Sequence, residues 1–350
     1  RRTVSHLMKG VGQLFAPADV AHFTSQLAGL LHAGVPLIES LEQAGASTSR
    51  SLKKNINQVI SDILTGYSLA DSLAKYPASF SKVYTSAIYS LDRNGKLDDV
   101  LKHLSVFLQK VLALRLIRNG LWKIPMYLVL FLLAFCSVSL LVIAPFFSAV
   151  YQKLEVVVPF PTRVIINASL LPQKYPVPVI ILFALPVVLF CLVRFFKPAQ
   201  TFFQAMVLRV PVTGHLIRTY TLAVFCRVTA FLLGRGIPLP QALQNASSEI
   251  DNQVYKEMIN MLSTSASLGK GLSKSLGETG GFPELLCRLI TMGEQHNNLV
   301  KRLDEAGTFY AEEFITSAAR VKTMSSAFAW SVALGSPAVA AFLFCLPLIP

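Results

Sequence analysis

The stretch FTSQLAGLLHAGVPLIESLEQA, from Phe23 to Ala44, decides the fold because it returns later as FCRVTAFLLGRGIPLPQALQNA, from Phe225 to Ala246. The two copies begin 202 residues apart. Self-similarity at a fixed offset is typical of a duplicated structural unit. The identical pairs include Phe23 and Phe225, Leu30 and Leu232, Leu31 and Leu233, Gly34 and Gly236, Pro36 and Pro238, Leu37 and Leu239, and Leu41 and Leu243.

Each copy predicts a helical hairpin with a tight corner. Four apolar residues of the first copy share one stripe of a helix, at positions i, i+4, i+7 and i+8: Phe23, Leu27, Leu30 and Leu31. Gly34 is suited to the left-handed conformation that ends a helix. Pro36 is suited to the first position of the next helix, where its missing N–H costs nothing. Gly236 and Pro238 predict the same corner in the second copy.

The similarity extends beyond the hairpin. The segment SLDRNGKLDDVL, Ser90–Leu101, aligns with MGEQHNNLVKRL, Met292–Leu303. Neither copy contains a window of sustained strand alternation. The sequence therefore predicts an all-α fold with two homologous helical-bundle domains. The matches between hairpin and final segment are Gly66 with Gly269, Leu69 with Leu272, Ser72 with Ser275, Leu73 with Leu276, and Phe80 with Phe282.

Composition indicates a membrane protein. Of the 350 residues 53% are hydrophobic and only 15% are charged, which is more apolar than usual for soluble domains. Three stretches contain no charged residue: Ile124–Gln152, Tyr175–Val193 and Thr323–Pro350. A helix needs about 20 residues to cross the hydrocarbon core of a bilayer. We therefore predict three transmembrane helices, with a buried core helix as the alternative for each.

Basic residues flank these stretches in a pattern that predicts their orientation. They precede the first, follow the second and precede the third, so both repeats are expected in the cytoplasm and the C-terminus outside. The predicted organisation is a leader at 1–15, a first cytoplasmic repeat domain at 16–122, transmembrane helices at 124–150, 175–195 and 323–350, a short outer loop at 151–174, and a second cytoplasmic repeat domain at 196–322.

Charge and motifs argue against several function classes. The net charge of +13 is concentrated beside the predicted spans, where anionic headgroups account for it, so no nucleic-acid partner is expected. The Gly-Lys pairs of the cytoplasmic repeats are followed by Leu97 and Gly271, which does not match a P-loop. No histidine or cysteine has metal-ligand spacing. We therefore predict no enzymatic activity and no cofactor.

In its two repeats the sequence resembles the family that includes the F protein of type II secretion systems and the platform protein of type IV pili. That family carries F-x-x-x-L-x-x-L-L-x-x-G-[VI]-P-L twice and a G-E-x-x-G-x-L-x-x-x-L corner twice. The outer loop adds VPFPTR, Val158–Arg163, which is similar to the family's L-P-x-P-T segment. The corner is degenerate here, with Leu91-Asp92 before Gly95 in the first copy and Asn297 replacing the later glycine in the second.

The resemblance implies an inner-membrane platform that couples a cytoplasmic ATPase to the assembly of pilin or pseudopilin subunits. It also implies a homo-oligomer, contacts with other inner-membrane assembly proteins, and a periplasmic C-terminus. An oligomeric transporter or channel subunit is the alternative, although the predicted spans contain no ionisable side chain of the kind that transport pathways use.

Calcium binding in some relatives makes Asp92, Asp98 and Asp99 the positions to consider for a divalent ion. The structural alternative to metal binding is that Asp98 and Asp99 stabilise the start of a helix, where negative charge is favoured.

Overall fold

A computed structural model describes residues 16–90, 97–121, 131 and 211–345, and these residues form helices joined by turns, with no strand among them. The predicted all-α fold is confirmed for this part of the chain. The first copy contributes α1 (Ala16–His32), α2 (Leu37–Ala46), α3 (Arg50–Leu64), α4 (Leu69–Ala74), α5 (Lys82–Tyr89) and α6 (Leu97–Leu121). The second contributes α7 (Pro211–Leu233), α8 (Leu239–Ser248), α9 (Gln253–Ser267), α10 (Leu272–Thr279), α11 (Glu284–Gln295) and α12 (Leu299–Cys345).

The hairpin corners have the same backbone geometry in both copies. Gly34 has φ +85° and Gly236 has φ +76°, in the left-handed region that favours glycine. In the first corner the amide of Val35 donates to the carbonyl of Leu30 at 3.1 Å, and the amide of Gly34 donates to Leu31 at 3.0 Å. The same two bonds recur around Gly236. This pair of bonds is the Schellman closure, which satisfies the last carbonyls of a helix.

The two corner prolines lie one residue earlier than predicted. Helices α2 and α8 begin at Leu37 and Leu239, so Pro36 and Pro238 occupy the preceding cap position. Their ψ angles of 148° and 143° are extended, so neither proline has a helical backbone conformation. The prediction that each proline is the first helical residue was therefore wrong by one position.

The core is duplicated along with the corners. Phe23 packs against Phe80 with ring centroids 6.3 Å apart, and the equivalent rings of Phe225 and Phe282 are 5.9 Å apart. A buried serine also repeats its hydrogen bond. Ser72 donates to the carbonyl of Ser68 at 2.8 Å, and in the second copy the matching serine donates to the carbonyl of Gly271 at 3.0 Å. The two copies thus share both the aromatic packing and the hydrogen bond of a buried serine.

The chain divides into two compact units. One comprises residues 1–117 and 208–315, and the other comprises residues 118–207 and 316–350. Most of both repeats, which the sequence predicted as two bundles, falls within the first unit, where α5 of the first copy contacts α7 and α8 of the second. The predicted domain boundaries remain predictions.

The predicted spans are only partly within the described residues. Apart from residue 131, the spans at 124–150 and 175–195 lie outside them, and residues 323–345 of the third span fall on the C-terminal part of α12. Of the described helices, one is long and apolar enough to cross a membrane, at Thr213–Leu233, and 72% of its most apolar window is buried inside the protein. Because a core helix passes the same test, the three-span topology remains a prediction.

Candidate functional site: the interface between the repeats

Polar contacts between described residues join the repeats. The side-chain amide of Asn245 on α8 donates to the hydroxyl of Ser86 on α5 at 2.8 Å. Arg115 on α6 pairs with Glu249, which follows α8, with 2.5 Å between Nη2 and Oε2. The side chains of this ion pair are only 24% and 14% exposed. A pair so withdrawn from water is costly to break, because either charge alone would be left poorly solvated.

An aromatic pair completes the interface. Phe107 of α6 stacks on Phe231 of α7, with ring centroids 4.4 Å apart and an interplanar angle of 15°. The Arg235 guanidinium also lies over the Phe231 ring, 5.5 Å from its centroid. Burial lowers the pKa of this guanidinium, and the charge of Asp99 acts in the opposite sense.

Beside this aromatic pair lies an open cleft of about 970 Å³ between α6, α7 and α12. Two carboxylates, Asp99 and Asp304, line it. Its walls carry an excess of positive charge, supplied by five side chains: Lys102, Lys110, Arg227, Arg235 and Lys301. None of these five forms an ion pair with a carboxylate in the described part of the chain. The charges of Asp304 and Glu312 act on Arg227, and that of Asp99 acts on Arg235. With five cations against two lining carboxylates, the cleft still carries an excess of positive charge.

Of the three acidic residues considered for a metal, the structure describes only Asp98 and Asp99, and these two belong to no metal-binding group within the described ranges. Asp92 lies outside the described residues, Asp99 lines the cleft, and Asp98 is 3.4 Å from Nδ1 of His32. The hydrogen bond from His32 lowers the pKa of Asp98. Within the described ranges no group of three or more His, Cys, Asp or Glu side chains could hold a metal ion. Calcium needs six to eight oxygen ligands, so Asp98 and Asp99 alone do not supply a site for it, and the candidate role of Asp92 stays a prediction.

The degenerate corner of the second copy has a structural role that the sequence did not reveal. Glu294 accepts hydrogen bonds from the backbone amides of Leu272 at 2.5 Å and Ser273 at 3.1 Å, and from the Ser273 hydroxyl. It thereby caps α10, whose own cap residue is Gly271 and lacks a side chain. Asn297 takes φ +54°, a left-handed angle that asparagine tolerates better than most residues.

The cleft was not predicted, because its lining residues lie as far apart in the sequence as Asp99 and Asp304. The sequence does contain a clue to the cleft, and it lies in positions where the two copies differ rather than in positions where they are identical. At the common offset Phe231 replaces Gly29, and two arginines replace small residues, Arg227 for Ser25 and Arg235 for Ala33. Divergence toward bulk and charge on one helix face indicates a surface that only the second copy uses in this way.

In its described part the chain is all-helical and consists of two copies of one six-helix unit, joined through a partly buried ion pair. These features define its class. Comparison with known proteins gives the family. The protein family described as "Type II secretion system (T2SS), protein F" matches residues 23–145 and, a second time, residues 225–347. The chain belongs to this family.

Named relatives come from both branches of the family. The type IV pilus assembly protein PilC of Pseudomonas aeruginosa is 25% identical over 308 residues, covering 87% of this chain and 82% of that protein. The type 4 fimbrial assembly protein PilC of Pseudomonas putida is 30% identical over 300 residues, covering 84% and 74%. The type II secretion system protein F of Pseudomonas aeruginosa is 28% identical over 289 residues, covering 81% and 71%.

Proposed function

We propose that this chain is the inner-membrane platform of a type II secretion or type IV pilus system. The observation that carries the proposal is the double match to the family of secretion protein F, at residues 23–145 and 225–347. Relatives named for pilus assembly and for type II secretion support both settings about equally. The platform acts without chemistry of its own, by coupling a cytoplasmic ATPase to the assembly of pilin or pseudopilin subunits.

The proposed topology places residues 16–122 and 196–322 in the cytoplasm and three helices in the membrane, with the C-terminus in the periplasm. The exposed apolar residues Met324, Phe328 and Trp330 on α12 support a membrane-facing segment near the start of the third span, since they are 72%, 59% and 67% exposed. The spans would contact pilin helices, sister copies and other inner-membrane assembly proteins.

The interface between the repeats supports a mechanical role. A platform must pass force from a motor to its substrates without yielding internally. The partly buried Arg115–Glu249 pair and the Asn245–Ser86 hydrogen bond link the two copies within one compact unit. A push on one repeat would therefore be transmitted to the other.

Deletion and complementation in the source bacterium test the proposal. We expect deletion to leave pilin-like subunits in the inner membrane and to abolish surface filaments or secreted enzymes, while the full chain restores them. Levels of the ATPase and of the pilin-like subunits, measured by immunoblot, control for indirect loss. Normal filament assembly and secretion in the deletion strain would contradict the proposed function and favour a transporter.

A further inference from the structure

We propose that the basic cleft between α6, α7 and α12 binds an acidic helical segment of a partner protein, through carboxylates placed about two helical turns apart. The inference rests on the proposed function, because it gives the platform a defined docking site for another protein of its machine. It differs from that function in naming the surface and the chemistry that this surface recognises.

The distribution of charge sets the length of the occupant. Lys102 and Lys110 are eight residues apart on α6, which places them about 12 Å apart along the helix axis. On the opposite wall Arg227 lies within α7 and Arg235 follows its end, again eight residues apart. Carboxylates at positions i, i+4 and i+8 of a docked helix cover the same distance. A single phosphate or carboxylate would engage only one end of the cleft.

The chemistry of the walls selects carboxylates. Arg227 and Arg235 are half-buried, and among the described residues neither forms a direct ion pair, although Asp304 and Glu312 act on Arg227 and Asp99 acts on Arg235 through their charge. An arginine in this state binds a planar carboxylate through two parallel hydrogen bonds, and the gain is larger where water is partly excluded. Because Lys102, Lys110 and Lys301 are exposed at the rim, they would attract the partner before the arginines engage it.

A nucleotide fits the cleft less well. Base recognition usually relies on an aromatic face that is free to stack. Here Phe107 and Phe231 are stacked on each other, and the guanidinium of Arg235 also lies over the Phe231 ring. The five cations are divided between two walls and three helices rather than gathered around one polyphosphate. These features favour an acidic helix that lies along the cleft.

A peptide-binding experiment on the full detergent-solubilised chain tests the inference. The probe is a fluorescent, alanine-based helical peptide with Glu at i, i+4 and i+8, and its control carries Gln at those positions. We expect the Glu peptide to bind at least tenfold more tightly than the Gln peptide and to weaken as salt is raised. The triple variant K102E/K110E/K301E is expected to weaken Glu-peptide binding at least tenfold.

A matched variant separates the cleft from general charge. R50E/K53E/K54E makes the same change in net charge at three exposed cations on α3, away from the cleft. It should bind the Glu peptide within twofold of wild type, and circular dichroism should show that both variants retain helical structure. Equal loss of binding in both triple variants, or equal binding of Glu and Gln peptides, would overturn the cleft assignment. So would binding of ATP that depends on the three cleft lysines without binding of the Glu peptide.

Failure of this inference is distinguishable from failure of the proposed function. If the chain associates with the assembly ATPase but does not bind the Glu peptide, the cleft assignment is wrong and the platform role stands. If the Glu peptide binds through the cleft lysines while deletion of the gene leaves assembly and secretion intact, the platform role is wrong and the cleft assignment stands.

Discussion

Thr24 and Thr229 are fully buried threonines in the first helices of the two repeats, but only Thr24 has its hydroxyl satisfied. Thr24 donates to the carbonyl of Val20 at 2.7 Å and shares a 3.2 Å hydrogen bond with the hydroxyl of Tyr84. The Thr229 hydroxyl has no partner among the described residues. Thr229 also stands where the first copy has Leu27, so the second copy departs from the family motif at this position.

This difference predicts opposite effects for the same substitution. Thr229→Val should raise the free energy of unfolding by about 1 kcal/mol, because it removes an unpaired buried hydroxyl while keeping the shape. Thr24→Val should lower it by about 1 to 3 kcal/mol, because the buried Tyr84 hydroxyl then loses its partner. Denaturant unfolding of the solubilised chain measures both. A destabilised Thr229→Val variant would show that this hydroxyl is satisfied in the protein.

The corner glycines give a second prediction at the scale of single residues. No atom lies within 4 Å of the position that a Cβ would occupy at Gly34 or Gly236, so a side chain there is opposed only by the backbone angle. Gly34→Ala and Gly236→Ala should each lower the free energy of unfolding by about 1 to 2 kcal/mol. The matching Asn variants should lose less, since asparagine tolerates a positive φ.

Gly29 provides the control for the corner variants. It lies inside α1, is exposed and also has no atom near the position of an added Cβ. Because its backbone is helical, Gly29→Ala should be neutral or stabilising by up to about 1 kcal/mol. If Gly34→Ala were as harmless as Gly29→Ala, the left-handed corner would be wrong.

At the scale of elements, the ion pair between α6 and the segment after α8 predicts strong coupling between the repeats. Arg115→Met and Glu249→Gln should each lower the free energy of unfolding by about 2 to 4 kcal/mol, because each leaves a partner poorly solvated. The double variant should lose less than the sum. A double-mutant cycle measures this coupling, and additive losses would mean that the pair does not join the copies.

Local pattern predicted the helices and their corners because the information is local. The i, i+4, i+7 stripe from Phe23 to Leu31 and the Gly-x-Pro that follows specify a helix, its end and the next start within fifteen residues. The one-residue error at Pro36 is of the size expected at helix boundaries. The capping of α10 by Glu294 was missed, because the residues involved are more than twenty positions apart and a glutamate has no single structural role.

For the whole molecule, duplication was predictable and the association of the copies was not. Periodicity identifies the apolar face of a helix but does not identify what covers it. Phe107 and Phe231 belong to different copies, and nothing local indicates that they stack. The same limit applied to the cleft, whose cations come from three helices. Apart from residue 131, two predicted spans lie outside the described residues, so the membrane topology is still argued from composition and flanking charge.

The most direct test of the platform account is to measure association with the assembly ATPase encoded in the same genome. The purified full chain would be titrated into the purified ATPase while complex formation and nucleotide hydrolysis are followed. We predict a saturable complex and a changed hydrolysis rate, with no hydrolysis by this chain alone. A folded chain that neither binds the ATPase nor alters its rate, under conditions where the ATPase is active, would contradict the account.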